Sequence, residues 1–340
     1  DSRRQEKRSI MIERFIKHSL PALLSNRVYF LILLLIIVVI IMSLISPYFL
    51  NAKTILDILR MGTVLLLLSI GQTLVILAGG AGIDLSVGAI LSLSGVFLGV
   101  LSRSGVDIWL AALLTILFGG MLGSINGFTV SIWGLPPLIG TLGAMWAYGA
   151  LALVITNGIP ISNFPREFAF IGDGRVLGIP AQILLVALPI FTIIYFFLNR
   201  SYLGRWVYLI GVNETAAKFA GIPVTRIRFS LYTLNGILAG IGAVVMASWL
   251  MAARPDVGSG MELQSITVTV LGGTNIFGGF GSLLGTLLAV LIVTLVASGL
   301  QLAGINAIWQ LAVLGFILLG AVSINQLIFS LKAKQSGLST

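Results

Sequence analysis

The sequence predicts an all-α, polytopic membrane protein of about ten transmembrane segments, one of them broken or half-length, with both termini cytoplasmic. Three observations lead there. The chain is 58% hydrophobic and only 9% charged, with a mean hydropathy of +1.09, whereas soluble domains carry about a quarter charged residues. Apolar runs recur at the roughly 20-residue length that crosses a bilayer core as a helix. The polar breaks between those runs are mostly too short to hold a soluble domain.

Taken in order, residues 1–27 form a polar, basic tail whose Ile12, Phe15, Ile16 and Leu20 sit at helical spacing, the pattern of an amphipathic helix lying on the membrane surface. The single histidine, His18, lies in that tail and reads as a solvated residue. A single transmembrane domain, 28–328, follows, with spans expected near 28–46, 54–78, 84–101, 107–132, 136–156, 176–198, 229–252, 281–301 and 305–328. The run 264–273 stops at Gly272-Gly273 and reads as a half-span. Residues 157–175, with Pro160, Pro165, Gly172 and Gly174, suit a folded external loop. Residues 199–228 are the long cytoplasmic loop, and 329–340 a cytoplasmic tail.

Charge placement sets the orientation. With the N-terminus inside, fourteen of the twenty Lys and Arg residues fall in inside segments and five in outside segments, with Arg60 near the start of the second span. This is the positive-inside pattern, and it accounts for the net charge of +9 without a nucleic-acid partner. Cysteine is absent, so neither disulfides nor Cys-ligated metals are expected, and no metal site is predicted. No small-residue cleavage site marks a removable signal peptide. No catalytic triad or paired carboxylates occur, and no G-x-x-x-x-G-K-[ST] phosphate loop; no catalytic residue is expected.

Three motifs stand out. In 204–228, GRWVYLIGVNETAAKFAGIPVTRIR, Asn213 is a good N-cap and Glu214 suits the positive helix end. Lys218 lies four residues on, and Gly221 followed by Pro223 ends the helix. Ala216, Ala217 and Ala220 leave one side small enough for another protein's groove; an ordinary charged loop is the competing reading. The second motif is Gly82-Ile83-Asp84-Leu85-Ser86-Val87-Gly88, preceded by Gly79-Gly80. Asp84 either caps the third span or stands on a transport path, where an acidic group is costly and functional. The third is 271–286, LGGTNIFGGFGSLLGT. Broken backbone at membrane depth is tolerated where protein or a watery cavity covers it, and Gly281 with Gly285 forms a small-xxx-small pair.

These motifs, in this order, resemble the membrane permease subunit of ribose-type ABC sugar importers over about residues 50–328. NETAAKFAGI resembles that family's coupling segment at Asn213, Glu214, Ala216, Ala217, Gly221 and Ile222. GIDLSVG matches at Gly82, Asp84, Ser86 and Gly88, and the glycine-rich run at Gly272, Gly273, Gly278, Gly279, Gly281 and Ser282. The lead-in Gly79-Gly80-Ala81-Gly82 is longer than the family's usual Gly-Gly before Ile-Asp, which implies a turn of different shape.

The resemblance implies an importer of a neutral monosaccharide in the bacterial cytoplasmic (inner) membrane. It implies an ABC ATPase partner that docks on 213–222 and uses ATP and Mg itself, this chain binding no cofactor. It also implies a periplasmic or extracellular sugar-binding protein and pairing with a second permease, identical or homologous. Among intramembrane polar residues, Gln72, Asn126 and Asn235 are candidates for the translocation path; Thr141, Gln264, Thr267, Asn306 and Gln310 are others, with helix–helix bonding the competing role. Alternative cargoes are nucleosides or branched-chain amino acids. A stand-alone secondary transporter would carry intramembrane ionisable residues or inverted repeats with matched broken helices, and only one segment is clearly broken.

Overall fold

The computed structural model describes residues 27–306 and, beyond them, 309, 312, 313, 315, 316, 319 and 320. The predicted surface helix in 1–27, nearly all of the span 305–328 and the tail 329–340 lie outside the described residues.

The described chain is a helical bundle: α1 (Arg27–Ile45), α2 (Ala52–Leu77), α3 (Val87–Arg103), α4 (Ile108–Ser131), α5 (Pro137–Thr156), α6 (Ala169–Asp173), α7 (Leu188–Arg200), α8 (Tyr202–Val212), α9 (Glu214–Phe219), α10 (Val224–Leu250), α11 (Met261–Leu271) and α12 (Leu283–Leu302). A π-helical stretch, Gln182–Ala187, leads into α7. Pro189 has no N–H to offer the carbonyl of Leu185, so the helix opens into a wider turn there. Among the described residues, seven helices are long and apolar enough to cross a membrane: α1, α2, α4, α5, the continuous 182–200 unit, α10 and α12. Helices α3 and α11 are apolar but shorter.

Local sequence explains most helix starts. Asn51 accepts from the Lys53 amide at 3.0 Å to cap α2, and Asp107 accepts from Trp109 and Leu110 at 3.0 and 3.1 Å to cap α4. Pro137 occupies the first turn of α5, where its missing N–H costs nothing. Two short ladders lie at one end of the bundle: β1 (Ile161–Ser162) pairs antiparallel with β4 (Ala252–Ala253), and β2 (Arg175–Val176) with β3 (Ile179–Pro180). Residues 157–175, expected as a loop, are thus folded onto the helices. The Ser248 hydroxyl donates to the Phe168 carbonyl and accepts from the Gly172 amide, and Arg60 pairs with Asp173.

Three boundaries differ from expectation, the first being the span expected from 176, which is helical only from Gln182 because Arg175–Val176 and Ile179–Pro180 form the β2–β3 hairpin. Helix α10 starts at Val224, not 229, so 199–228 is not one long loop. It holds α8, α9 and the first turn of α10. Helix α3 starts at Val87, not 84, because 79–86 is an irregular loop.

Helices α2 and α10 form the centre, their middles buried, while α1 and α5 leave most of their apolar side chains exposed. The α4–α10 crossing is lined by Gly119 and Gly123 against Gly236 and Gly240, with Gly127 against Phe229. A Cβ on Gly119 would stand 2.6 Å from the Gly236 carbonyl oxygen. In lipid, where apolar burial drives little association, such close backbone contact is the main source of helix–helix adhesion.

Candidate translocation site and coupling segment

The loop after α2 doubles back on the last turns of that helix. Gly79, Gly80 and Ala81 all take positive φ (71°, 67° and 52°), three left-handed residues in a row. The longer lead-in therefore builds a left-handed turn, closed by the Gly82 amide to the Gly79 carbonyl at 3.2 Å. It delivers Asp84 to a fully buried position between α2 and α10.

Around Asp84 the predicted residues converge. One carboxylate oxygen accepts from the Ser86 amide (2.9 Å) and the Ser86 hydroxyl (2.6 Å), and the other accepts from Asn235 Nδ2 at 2.9 Å. Ser86 Oγ in turn accepts from Asn126 Nδ2 at 2.6 Å, and Asn126 Oδ1 accepts from Tyr148 at 3.2 Å. With its amide turned to satisfy both neighbours, Gln72 donates to the Asp84 carbonyl (3.2 Å) and accepts from the Asp84 amide (3.1 Å). Gln72, Asn126 and Asn235, placed in the sequence by polarity alone, thus share one hydrogen-bond network drawn from α2, α4, α5 and α10. All are buried, so they are packed together here rather than lining an open channel. Asp84 does not cap α3 directly. Ser86 is the N-cap residue, with helical backbone and no side-chain cap bond, and Asp84 fixes the turn before it.

Sequence reading missed Tyr148 and Tyr232, and named Thr141 only as one of several further polar residues. Tyr148 closes the network from α5. Thr141 bridges α5 to the loop, accepting from the Leu85 amide at 3.1 Å. Tyr232, one turn before Asn235, is buried with a hydroxyl that has no partner among the described residues. The helical spacing of Tyr232 and Asn235 was a usable signal.

The glycine-rich run packs beside this loop. Helix α11 ends at Leu271, and Gly273, Gly278 and Gly279 have φ of 104°, 94° and 78°. Gly272 crosses Gly285 of α12 backbone to backbone. The Gly279 amide donates to the Leu77 carbonyl at 3.0 Å, Tyr208 of α8 donates to the Gly281 carbonyl at 3.0 Å, and Ser282 caps α12. Gly79, Gly211 and Gly278 meet at a single point: a Cβ on Gly79 would lie 2.8 Å from Gly211 Cα. Gly82 and Gly88 are likewise pressed against backbone, Gly82 by the Val75 carbonyl and Gly88 by Gly258. The three sequence motifs therefore touch one another, since Gly211 ends the helix that leads into Asn213.

Helix α9 has the expected caps. Asn213 Oδ1 accepts from the Ala216 amide at 2.9 Å, and Gly221 has φ 77°. Lys218 reaches Glu214 at 2.6 Å, and Arg228 reaches it at 2.7 Å. Partial burial alone would raise the Glu214 carboxyl, but the bonds and charges of Lys218 and Arg228 outweigh it and hold the group below the usual glutamate value. The small face points differently from the sequence expectation. Ala217 and Ile222 are buried (4% and 8% exposed), because they anchor α9 to the bundle core; Thr215, Ala216, Phe219 and Ala220 face outward, Phe219 being 89% exposed. Beneath α9 lies a cavity of about 360 Å³, lined among others by Gly80, Ser131, Glu214, Lys218, Arg228 and Tyr232.

A lipid-spanning bundle with a buried polar loop and a capped, ion-paired helix at its end defines a membrane transport permease. Comparison with known proteins makes the assignment particular. The sequence profile of the family described as branched-chain amino acid transport system / permease component matches residues 54–322. The ribose import permease of Bacillus subtilis is 40% identical over 287 residues, 84% of this chain and 88% of the relative. The ribose import permease of Escherichia coli K12 is 33% identical over 288 residues (84% and 89%), and the D-allose transport system permease of the same strain 36% over 287 residues (84% and 87%). No solved structure matches. The chain belongs to this family of ABC transport permeases and is a multi-pass inner-membrane protein.

Proposed function

We propose that this chain is the translocation subunit of an ATP-driven, binding-protein-dependent importer of a neutral monosaccharide. The observation that carries the reading is the meeting of α8, which leads directly into α9, with the Asp84 loop and the glycine-rich turn at Gly79, Gly211 and Gly278. Movement of a helix docked on an ATPase then reaches a buried polar cluster directly. The chain has about ten crossings and two cytoplasmic termini, with α11 and its glycine turn as the broken crossing. ATP and Mg²⁺ belong to a separate ATPase subunit, as the missing phosphate loop supports. The soluble binding protein docks at the end that holds the β2–β3 hairpin, and two permeases pair, either identical chains or this one with a homologue.

Cargo chemistry is supported by the site. Gln72, Asn126, Asn235, Thr73 and Thr141 offer amides and hydroxyls, which suit sugar hydroxyls, and Asp84 is already engaged by Ser86 and Asn235. The ribose and allose named for the relatives fit that chemistry. A branched-chain amino acid, named in the family description, is the second reading.

The test is co-reconstitution of the chain with its ATPase and binding protein in vesicles, measuring ATP-dependent uptake of labelled ribose and allose with leucine as competitor. Uptake of a monosaccharide unaffected by leucine is expected; competition by leucine would favour the second reading. Asp84→Asn places an amide donor against Asn235 Nδ2, a lost bond worth about 1–3 kcal/mol, and should abolish uptake while the complex still assembles. In this Cys-free chain, a cysteine at exposed Glu167 should react with an external thiol reagent, and one at Thr215 should be protected. Labelling at 215 from outside would reverse the orientation.

A further inference from the structure

We infer that Arg228 is the positioning residue that passes displacement of α9 to the Asp84 loop, an inference that rests on the function proposed above. One nitrogen of its guanidinium, Nη2, serves two acceptors: the Glu214 carboxylate of α9 at 2.7 Å and the carbonyl of Ala78, the residue that ends α2 and opens the loop, at 3.1 Å. The guanidinium lies across Gly80, where a Cβ would stand 2.7 Å from that same nitrogen. A side chain at 80 would push it away, so Gly80 is required by the arginine as much as by its φ of 67°.

The helix that carries Arg228 holds the loop at its other end too. Arg228, Tyr232 and Asn235 fall at i, i+4 and i+7 on α10 and so share one face. Asn235 Nδ2 bonds Asp84 at 2.9 Å. The loop 78–84 is thus gripped by one helix face at two points about 10 Å apart along the axis. Its deeper point holds the buried carboxylate; its outer point holds α9.

The two acceptors at Arg228 are unequal. The Glu214 contact joins two opposite full charges at 2.7 Å, whereas the Ala78 contact joins a charge to a neutral carbonyl at 3.1 Å, so the first is the stronger. When the ATPase draws α9 away, the guanidinium therefore follows Glu214 and releases the Ala78 carbonyl. Space for that swing exists, because Arg228, Glu214 and Lys218 all line the cavity beneath α9. Arg228 Nε has no partner among the described residues, so the side chain is held only at its tip. Freed at its outer point, the loop remains tied to α10 through Asn235 alone.

The experiment uses the full reconstituted complex and reads sugar taken up per ATP hydrolysed, together with recovery of the ATPase on the tagged permease. Arg228→Met should leave hydrolysis running while uptake per ATP falls at least tenfold. Arg228→Lys keeps the charge and a donor and should fall between. The double exchange Glu214→Arg with Arg228→Glu separates relay from anchor: it restores an ion pair, but it sets an acceptor against the Ala78 carbonyl. Whatever amount of ATPase is recovered on the tagged permease, uptake per ATP hydrolysed should stay low. Wild-type uptake per ATP in the double exchange, or in Arg228→Met, overturns the inference and leaves Arg228 as an anchor of α9. Should Arg228→Met fail to assemble, the exchanged pair carries the same test. Failure of the unaltered chain to support ATP-dependent uptake would instead sink the proposed function.

Discussion

Glycine does opposite work in two parts of this molecule. At the α4–α10 crossing, Gly119, Gly123, Gly236 and Gly240 have ordinary helical backbone, and what matters is the missing side chain, which lets two helices touch along their backbones. At the junction of α2, α8 and the 272–282 turn, Gly79, Gly278 and Gly279 are needed twice over: for closeness and for positive φ. The first region is a rigid seam within the bundle. The second is a set of turns whose shape is held by a few hydrogen bonds beside α9. The difference separates residues that keep the bundle together from residues that shape its moving part.

The largest effect should come from breaking the seam. Gly123→Leu forces α4 and α10 apart and should cost about 3 kcal/mol, the upper end for overpacking. Membrane abundance and the monodisperse fraction in detergent should both collapse; unchanged abundance would mean the seam is not the adhesive element. A middle-sized effect should follow Gly278→Ala, which puts a Cβ on a residue with φ 94° at a cost of about 1–2 kcal/mol. Here uptake should fall by more than thermal stability does, whereas Gly123→Ala should show the reverse. Equal losses in both assays for both variants would erase the distinction. The smallest effect has the opposite sign. Ala81 is a non-glycine residue at φ 52°, so Ala81→Gly should relieve strain and, after the added entropy of the unfolded chain, raise stability by up to about 1 kcal/mol. A fall in the melting temperature would show that Ala81 is not strained.

Much of this was legible in the sequence, for physical reasons. Bilayer thickness sets a length that apolar runs must meet, so the predicted spans match α1, α2, α4, α5, the 182–200 unit and α12 closely. Asn213 and Gly221 declared the ends of α9, since capping is a local interaction. The run of small residues in the short segment was legible too, but its facing was not. Ala216 and Ala217 are equivalent by composition, and only packing against the bundle decides that Ala217 turns inward. Arg228 illustrates the other limit. In the sequence it was one inside charge among fourteen, because the helix bearing it was expected to begin at 229. Its two acceptors, Ala78 and Glu214, are 150 and 14 residues away, and no local signal reports such a meeting. The convergence of Gln72, Asn126 and Asn235 on Asp84 is likewise a product of tertiary contact; polarity in an apolar run marked them, but not as neighbours.

Helix α11 has eleven residues, about 16 Å of rise, against a hydrocarbon core of about 30 Å. It is continued by non-helical backbone that bonds to the rest of the protein, as the Gly279 amide does to Leu77. Such a segment carries too little apolar length to partition into lipid by itself as the nascent chain emerges. It needs a protein-lined slot between α2, α3 and α12, the last of which is made after it. The expected consequence is that assembly order departs from synthesis order: residues 254–282 should enter the bundle only once α12 has inserted, and a ribosome stalled before residue 283 should leave them outside the membrane interior.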